Sequence, residues 1–362
     1  MKTVKIAILG VGAIGKVHLY AYQTLPFYLN PLPVKPEIKY VVNSRPETAA
    51  EAASLTDRAI PLTDWNVAIQ DPEIDVVNIC LPNHLHFPVL KAAILANKNI
   101  YCEKPILLNA AEADEIEPLL TNYRGISQVT FHTRFFASAM KMKEIIEAGK
   151  IGDILEFRGS YLQNSHVDPT RPSRWKNLKA AGGGALTDIG SHLLDFTDWL
   201  AGPLTETFFF DASSDPQNSE RAEDSIVMLW KTQNGAIGSL HVSKMAHGTE
   251  NDMTLEIFGR RGALRFTLDS PHYLEYFDGQ KSTSPFGGES GWIRIPVGNR
   301  YSVPDTDFPA AKSGIGWVRA HCTSMAHFLR NIAAGKILND EPDLRRGIYV
   351  QRLMEKCRKF DA

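Results

Sequence analysis

Asp188 and His192 lie four residues apart behind three consecutive glycines, 182–184, in the stretch GGGALTDIGSH. If the segment is helical, that spacing stacks a carboxylate and an imidazole one turn apart on one face. Such a pair can handle a proton, and imidazole suits the task because its ordinary pKa, about 6.5, lies close to working pH. At the other end of the chain, VKIAILGVGAIGKVH reads as a buried strand running into a glycine turn. Gly10, Gly12 and Gly15 have GxGxxG spacing. In that arrangement the first glycine makes the tight turn, the second lets a pyrophosphate approach the backbone, and the third allows close helix packing. The following helix start, with Ala13 and Ile14, favours phosphate charge. Three glycines in such a window can also form a plain turn, but their place after a strand and before a helix selects the dinucleotide reading.

The elements that must position these groups follow from periodicity. The apolar runs KIAILG (5–10), IKYVVN (38–43), VVNICLP (76–82) and NIYCEKP (99–105) are joined by helical patterns, which predicts a parallel, doubly wound sheet. The segment TLPFYLNPLPVKPE (24–37) carries four prolines, which argues against a helix interior; it reads as an insertion between the first helix and second strand. GISQVTFHTRF supplies a sixth strand, and the dinucleotide-binding domain is expected to span 1–130, with a second domain over 131–362. There the rhythm changes to ILEFRGSYLQ, ETFFFDAS, DSIVMLWKT, AIGSLHVSKM, DMTLEIFG, GALRFTL and LEYFD. Strands that follow one another this way predict a large, mostly antiparallel open sheet with the Asp188 helix packed on one side, so the fold class is α/β. Final helices are expected at about 317–334 and 343–359, and the Gly-, Ser- and Pro-rich stretch 279–313 is the natural place for mobility or a partner contact.

Bulk properties narrow the partners. Across 362 residues, Lys+Arg 39 against Asp+Glu 41 leaves a formal net charge of -2, so no global field recruits nucleic acid or an anionic membrane. No uncharged apolar run reaches about 18 residues and no signal-peptide pattern is visible, which points to a cytoplasmic protein. Cys80, Cys102, Cys322 and Cys357 share no CxxC-type spacing, so neither a metal site nor a disulfide framework is expected. A small molecule is the expected ligand.

Cofactor choice turns on the second strand's end. An NAD enzyme normally places Asp or Glu there, on the ribose 2'-hydroxyl, whereas this chain reads VVNSRPE, with Asn43, Ser44 and Arg45. A hydroxyl followed by a guanidinium suits a 2'-phosphate, and the sequence favours NADP over NAD. The competing reading makes Arg45 a solvated loop charge and puts Asn43 on an NAD ribose.

Beyond the glycines, EKP (103–105) at a strand end, AGGGALTDIGSHLLD, CLPNHLHFPVLKAAI and RFFASAMKMKEIIEAGKIGDI fall in register along the chain. Together they resemble the Gfo/Idh/MocA family, named for glucose-fructose oxidoreductase, inositol dehydrogenase and rhizopine catabolism. The resemblance implies a Rossmann domain followed by an α/β domain whose sheet commonly builds homodimers or homotetramers. It implies that Lys104 reaches the reacting hydroxyl and the nicotinamide, that Glu103 is a cofactor-side residue, and that Asp188 and His192 are the substrate-binding carboxylate and the catalytic histidine. Leu81, Pro82, Asn83 and His86, in LPNHLH, correspond to positions near the nicotinamide half of the cofactor, Arg134 to a further cofactor contact, and Lys104-Pro105 to a cis peptide. The chain departs from the family pattern at the second strand and at His132 and Thr133.

Oxidising a secondary alcohol needs a base for the hydroxyl proton while hydride leaves carbon. His192 is the expected general base, Lys104 the group that stabilises alkoxide charge, and Asp188 the acceptor for a neighbouring hydroxyl that balances charge between Lys104 and His192. The glycines 182–184 are expected to let the backbone pass close to cofactor or substrate. The preceding loop offers Tyr161, Asn164, His166, Asp168, Arg174, Trp175 and Lys176 as a rim for a sugar or polyol, of which three or four are expected to touch ligand; the family resemblance implies that Arg174 or Trp175 also contacts the cofactor. The expected activity is hydride transfer between NAD(P) and a ring hydroxyl or carbonyl of a sugar, inositol or sugar derivative. The alternatives are an enzyme that retains its NAD(P) and uses transient oxidation for glycoside cleavage or internal oxidoreduction, and a non-catalytic dinucleotide sensor.

Overall fold

The computed structural model describes residues 1–29, 31–168, 175–298 and 316–358. The first element is β1 (Thr3–Leu9), which runs directly into α1 (Ala13–Tyr28). There follow β2 (Lys35–Val42), α2 (Pro46–Ala53), β3 (Ile60–Leu62), α3 (Trp65–Gln70), β4 (Val76–Ile79), α4 (His86–Leu95), β5 (Asn99–Cys102), α5 (Ala110–Ile116) and β6 (Ser127–Val129). The strands form one parallel sheet in the order β3-β2-β1-β4-β5-β6, the doubly wound arrangement with its switch point beside β1. Both faces are covered, so β4 is buried along its whole length and carries no polar-apolar alternation.

The proline-rich segment differs from expectation. α1 continues through Pro26 to Tyr28, buries Leu25 and Tyr28, and closes with the Leu29 amide on the Leu25 carbonyl at 2.9 Å. Pro26 sits in the last turn, where its missing N–H removes a single bond, and packing outweighs that loss. Pro36 falls within β2, ahead of the stretch Tyr40–Val42 that pairs with β3, so its missing donor interrupts no ladder on that side.

The second body begins with α6 (Ala137–Glu147) and β7 (Ile154–Leu162), and continues through α7 (Ser191–Ala201) into β8 (Leu204–Ala212), β9 (Ser225–Thr232), β10 (Ile237–Ser243), β11 (Asp252–Gly259), β12 (Gly262–Thr267), β13 (Tyr273–Asp278) and β14 (Trp292–Pro296). Its eight-stranded sheet has the order β14-β13-β12-β11-β7-β10-β9-β8 and is antiparallel except where β7 runs parallel to β10. β14 was not expected: WIRIP lies inside the Gly/Ser-rich stretch whose composition masked it, and residues 299–313 of that stretch lie outside the described residues. At the middle of β7, a Cβ on Gly159 would stand 3.1 Å from a Leu193 methyl, so the glycine lets α7 lie close on the sheet.

The chain closes with α8 (Trp317–Ala334) and α9 (Leu344–Lys356). Compactness groups Met1–His132 with Val318–Arg352, and 133–298 with 353–358. The division expected at 130/131 therefore meets a returning segment. Leu344, Ile348 and Val350 join the apolar core made by Val77, Ile79, Ile100 and Val129, and the Val129 amide donates to the Pro342 carbonyl at 2.7 Å. Among the described residues no helix is long and apolar enough to cross a membrane.

Candidate active site

In the first unit the glycine turn is built by close approach. Gly10 has φ +86, and a Cβ there would stand 2.6 Å from the Cys80 carbonyl oxygen; one on Gly15 would strike the Gly10 carbonyl. Gly12 is the exception, because a Cβ there would meet nothing within 4 Å. That open space lies at the start of α1, whose first turn carries no acidic side chain and no side-chain cap. The first amides of a helix lack internal acceptors, so the Gly12–Gly15 region offers donors, positive dipole and room to a pyrophosphate. The residues fit a dinucleotide.

Asn43 serves this loop and has both ends engaged. Its Oδ1 accepts from the Val11 amide at 2.8 Å and its Nδ2 donates to the Thr48 carbonyl at 2.9 Å. It thus ties the glycine turn to the β2 end. Ser44 and Arg45 are exposed at that tip, Arg45 preceding α2.

Around the EKP turn, the Lys104-Pro105 peptide is cis. His86 is buried between two carbonyls, with Nδ1 2.9 Å from Pro105 O and Nε2 2.8 Å from Leu81 O. Burial pushes its pKa down, and outweighs the raising effect of those carbonyls. It bridges the LPNHLH turn to the residue after Lys104; Leu81 and Pro82 are half-buried and Asn83 buried beside it. Glu103 accepts from the Lys104 amide at 3.3 Å and lies 3.1 Å from His18 Nε2. Burial alone would raise the Glu103 carboxyl, but His18 and Lys104 hold it below its ordinary value. Glu103 is therefore an internal anchor for the turn that carries Lys104. His18, in the third position after Gly15, went unassigned in the sequence.

In the second unit the Asp188 segment is helical but wide. Leu186–Gly190 forms a π-turn that passes directly into α7, so Asp188 stands in the π-turn and His192 in the first α-turn. Such turns recur at functional sites because they re-aim side chains without ending the helix. His192 is 4% exposed, with its ring 6.5 Å from that of Tyr161. Tyr161 donates to Asn251 Oδ1 at 2.9 Å, and burial followed by the charge of Asp188 drives its pKa up. Two lysines of this unit bind Asp188: Lys244, whose Nζ lies 2.6 Å from Oδ2, and Lys176, at 3.1 Å from Oδ1. Lys244 was missed. Yet alternation along β10 buries Leu240 and Val242, and the same period puts Lys244 on the inner face.

The glycines 183 and 184 are required by the protein's own packing. A Cβ on Gly183 would strike the Lys176 carbonyl and one on Gly184, at φ +114, the Glu223 carboxylate, so the close approach is to the protein's own chain. Glu223 then accepts from the Leu186 amide at 3.0 Å and starts the π-turn. Of the rim residues, Asn164 and Asp168 are exposed and Trp175 half-buried under Lys176 Nζ, 5.6 Å from its ring centroid. His166 is buried against Asp224 Oδ1 at 2.5 Å, and Arg174 lies outside the described residues. Arg134 is likewise held internally: its Nε and Nη2 bind the two Asp195 oxygens at 2.7 and 2.6 Å in a buried bidentate pair. That geometry makes Arg134 a structural anchor within the second unit.

The glycine-cradled, doubly wound parallel sheet defines a dinucleotide-binding protein. Residues 4–131 match the oxidoreductase family with an NAD-binding Rossmann fold, and residues 139–265 match the GFO/IDH/MocA C-terminal domain. The chain is 30% identical over 357 residues to levoglucosan dehydrogenase of Pseudarthrobacter phenanthrenivorans, covering 92% of this chain and 90% of that protein. It is 26% identical over 265 residues to myo-inositol 2-dehydrogenase of Thermotoga maritima, covering 72% and 74%. A solved structure of levoglucosan dehydrogenase in complex with NADH and levoglucosan superposes with a TM-score of 0.92 at 29% identity, covering 98% of this chain and 96% of that one. The chain belongs to the Gfo/Idh/MocA oxidoreductase family and is an NAD-binding dehydrogenase.

Proposed function

We propose that this enzyme oxidises a ring hydroxyl of a sugar, anhydrosugar or cyclitol, or reduces the matching ketone. The observation that carries this reading is Asp188, held by Lys244 one turn before His192 on a continuous helical segment. The names of the relatives, levoglucosan and myo-inositol dehydrogenases, support cyclic polyhydroxy substrates. Asp188 accepts a hydrogen bond from a hydroxyl beside the reacting carbon and His192 takes the proton of the reacting hydroxyl. Lys104 stabilises the alkoxide that develops. When bound, the nicotinamide supplies the hydride acceptor or donor. Asn164, Asp168 and Trp175 contribute the polar edge and flat apolar surface that a sugar ring needs. A cytoplasmic setting is supported by four free, buried cysteines.

For the cofactor, the exposed Ser44 and Arg45, with no carboxylate at the β2 tip, support NADP as the better ligand. One experiment tests both proposals: wild type and Arg45→Ala assayed at 340 nm with NAD and NADP against a panel of aldoses, anhydrosugars and inositols. Turnover of at least one polyol is expected, with the KM for NADP rising about tenfold or more in the variant and that for NAD little changed. Silence across the panel rejects the substrate class, and an unaltered NADP preference rejects Arg45.

The eight-stranded sheet supports a homo-oligomer. Its outer face carries one row in register across seven strands: Glu275, Arg265, Glu256, Arg158, Ser239, Leu229 and Phe208. The charged half is self-paired, with Arg158 Nε 2.6 Å and Arg265 Nε 2.8 Å from the Glu256 carboxylate. The other half is apolar: Leu229 and Ile237 are 54% and 59% exposed, flanked by Phe208, Phe210 and Val227. An exposed apolar patch rimmed by charge marks an interface, and a second copy of the same face satisfies both halves. Light scattering should give a dimer or tetramer for the wild type and a smaller species for Leu229→Glu; equal masses reject this face.

A further inference from the structure

Lys244 follows β10 and is 1% exposed, with its ammonium against Asp188. A lysine is almost never buried this fully unless its charge is matched, because desolvation of the ammonium is costly. Its main chain is engaged as well. Lys244 N donates to the Asp224 carbonyl at 2.8 Å, and its own carbonyl accepts from the His166 amide at 2.9 Å. Asp224 then holds the His166 ring through Oδ1 at 2.5 Å and Arg221 Nε through Oδ2 at 2.9 Å. On either side, Gln163 N donates to the Ser243 carbonyl at 2.7 Å and Ala246 N to the Gln163 carbonyl at 3.0 Å. The loop from 163 to 166, which opens the polar rim, therefore hangs from the backbone around the lysine that reaches Asp188.

We infer that Lys244 is a positioning residue for the reaction: its ammonium fixes the Asp188 carboxylate while its backbone fixes the rim loop, so one residue sets two surfaces offered to the polyol. Lys176 does not duplicate this. It is exposed, its contacts to Asp188 are 3.1 and 3.3 Å, and a solvated partner holds a carboxylate weakly. The side-chain half of the role is open to mutation, because the main-chain bonds survive a substitution. This inference rests on the reading that Asp188 binds a substrate hydroxyl.

The test uses full-length Lys244→Met, Lys244→Ala and Asp188→Asn, with the polyol that the wild type turns over. In Lys244→Met the KM for the polyol should rise about tenfold or more, while the Kd for NADH, measured by fluorescence, stays within about twofold of wild type. Ethylammonium should restore part of the turnover to Lys244→Ala by refilling the vacated space with charge. Adding Lys244→Met to Asp188→Asn should cost less than about twofold further, since a residue acting through Asp188 has nothing left to position. Wild-type polyol kinetics in Lys244→Met overturn the inference. So do full additivity with Asp188→Asn, absence of rescue, or loss of NADH binding in both lysine variants, which would make the pair a support of the fold alone. A wild type silent on every polyol fails at the earlier step, the substrate class itself.

Discussion

His192→Ala is expected to lower kcat by about 10²- to 10⁴-fold, the range for loss of a positioned general base, with the Kd for NADH within about twofold of wild type. The ring sits in the first turn of α7, within the second unit, whereas the glycine cradle belongs to the first. On the proposed reading its removal therefore takes away the proton acceptor and leaves the glycine-turn donors in place. His192 is 4% exposed, so the variant also loses packing against Tyr161, and a melting temperature lower by a few degrees is compatible with the assignment. The decisive comparison is between single-turnover hydride transfer at 340 nm and cofactor binding by fluorescence. A variant that binds NADH normally and retains wild-type turnover at neutral pH would remove His192 from proton transfer. A parallel loss of both would assign it to the fold.

Why some of this site was legible and some was not follows from how far each contact reaches along the chain. Gly12 and Gly15 act on their own neighbourhood and Gly10 makes the turn between strand and helix, so spacing and flanking pattern carried the meaning, although the Cys80 carbonyl that crowds Gly10 was not legible. Asp188 and His192 are also local, although the π-turn between them widens the expected helix. Lys244 meets Asp188 across 56 residues, and its neighbours are set by the parallel pairing of β7 with β10. No local pattern announces which carboxylate an inward lysine will find. Asn43 and Arg134 show the same. Their residue types suit a cofactor, but the protein groups that orient them, Val11 N and the Asp195 carboxylate, lie 32 and 61 residues away, so no local pattern announces those contacts. β14 was hidden for a compositional reason: five strand residues within a Gly/Ser-rich stretch offer too short an alternation to stand out.

Breaking the Arg134 and Asp195 pair is expected to cost the second unit on the order of 3–5 kcal/mol of stability. Both side chains are buried, at 5% and 1% exposure, and the fork geometry matches two nitrogens to two oxygens. The arginine also lies over the Trp199 ring, 5.1 Å from its centroid. Asp195→Asn keeps the shape and removes the charge, so the buried guanidinium loses the carboxylate that binds two of its nitrogens, at a cost of about 3–5 kcal/mol. For a unit of this size that corresponds to a melting temperature lower by about 6–20 °C. The cost comes from removing one partner of a buried pair, so removing both should recover most of it: Arg134→Met with Asp195→Leu replaces the pair by apolar groups of similar length, an exchange that is often neutral or stabilising. Measured by urea denaturation, the double variant should therefore be more stable than Asp195→Asn alone. If the double variant is as unstable as the sum of the single ones, the pair contributes through geometry that apolar packing cannot replace. Asn at 195 with no loss of stability would mean that the guanidinium finds other acceptors at no cost. The pair then does not hold α7, and with it His192, against the segment that precedes α6.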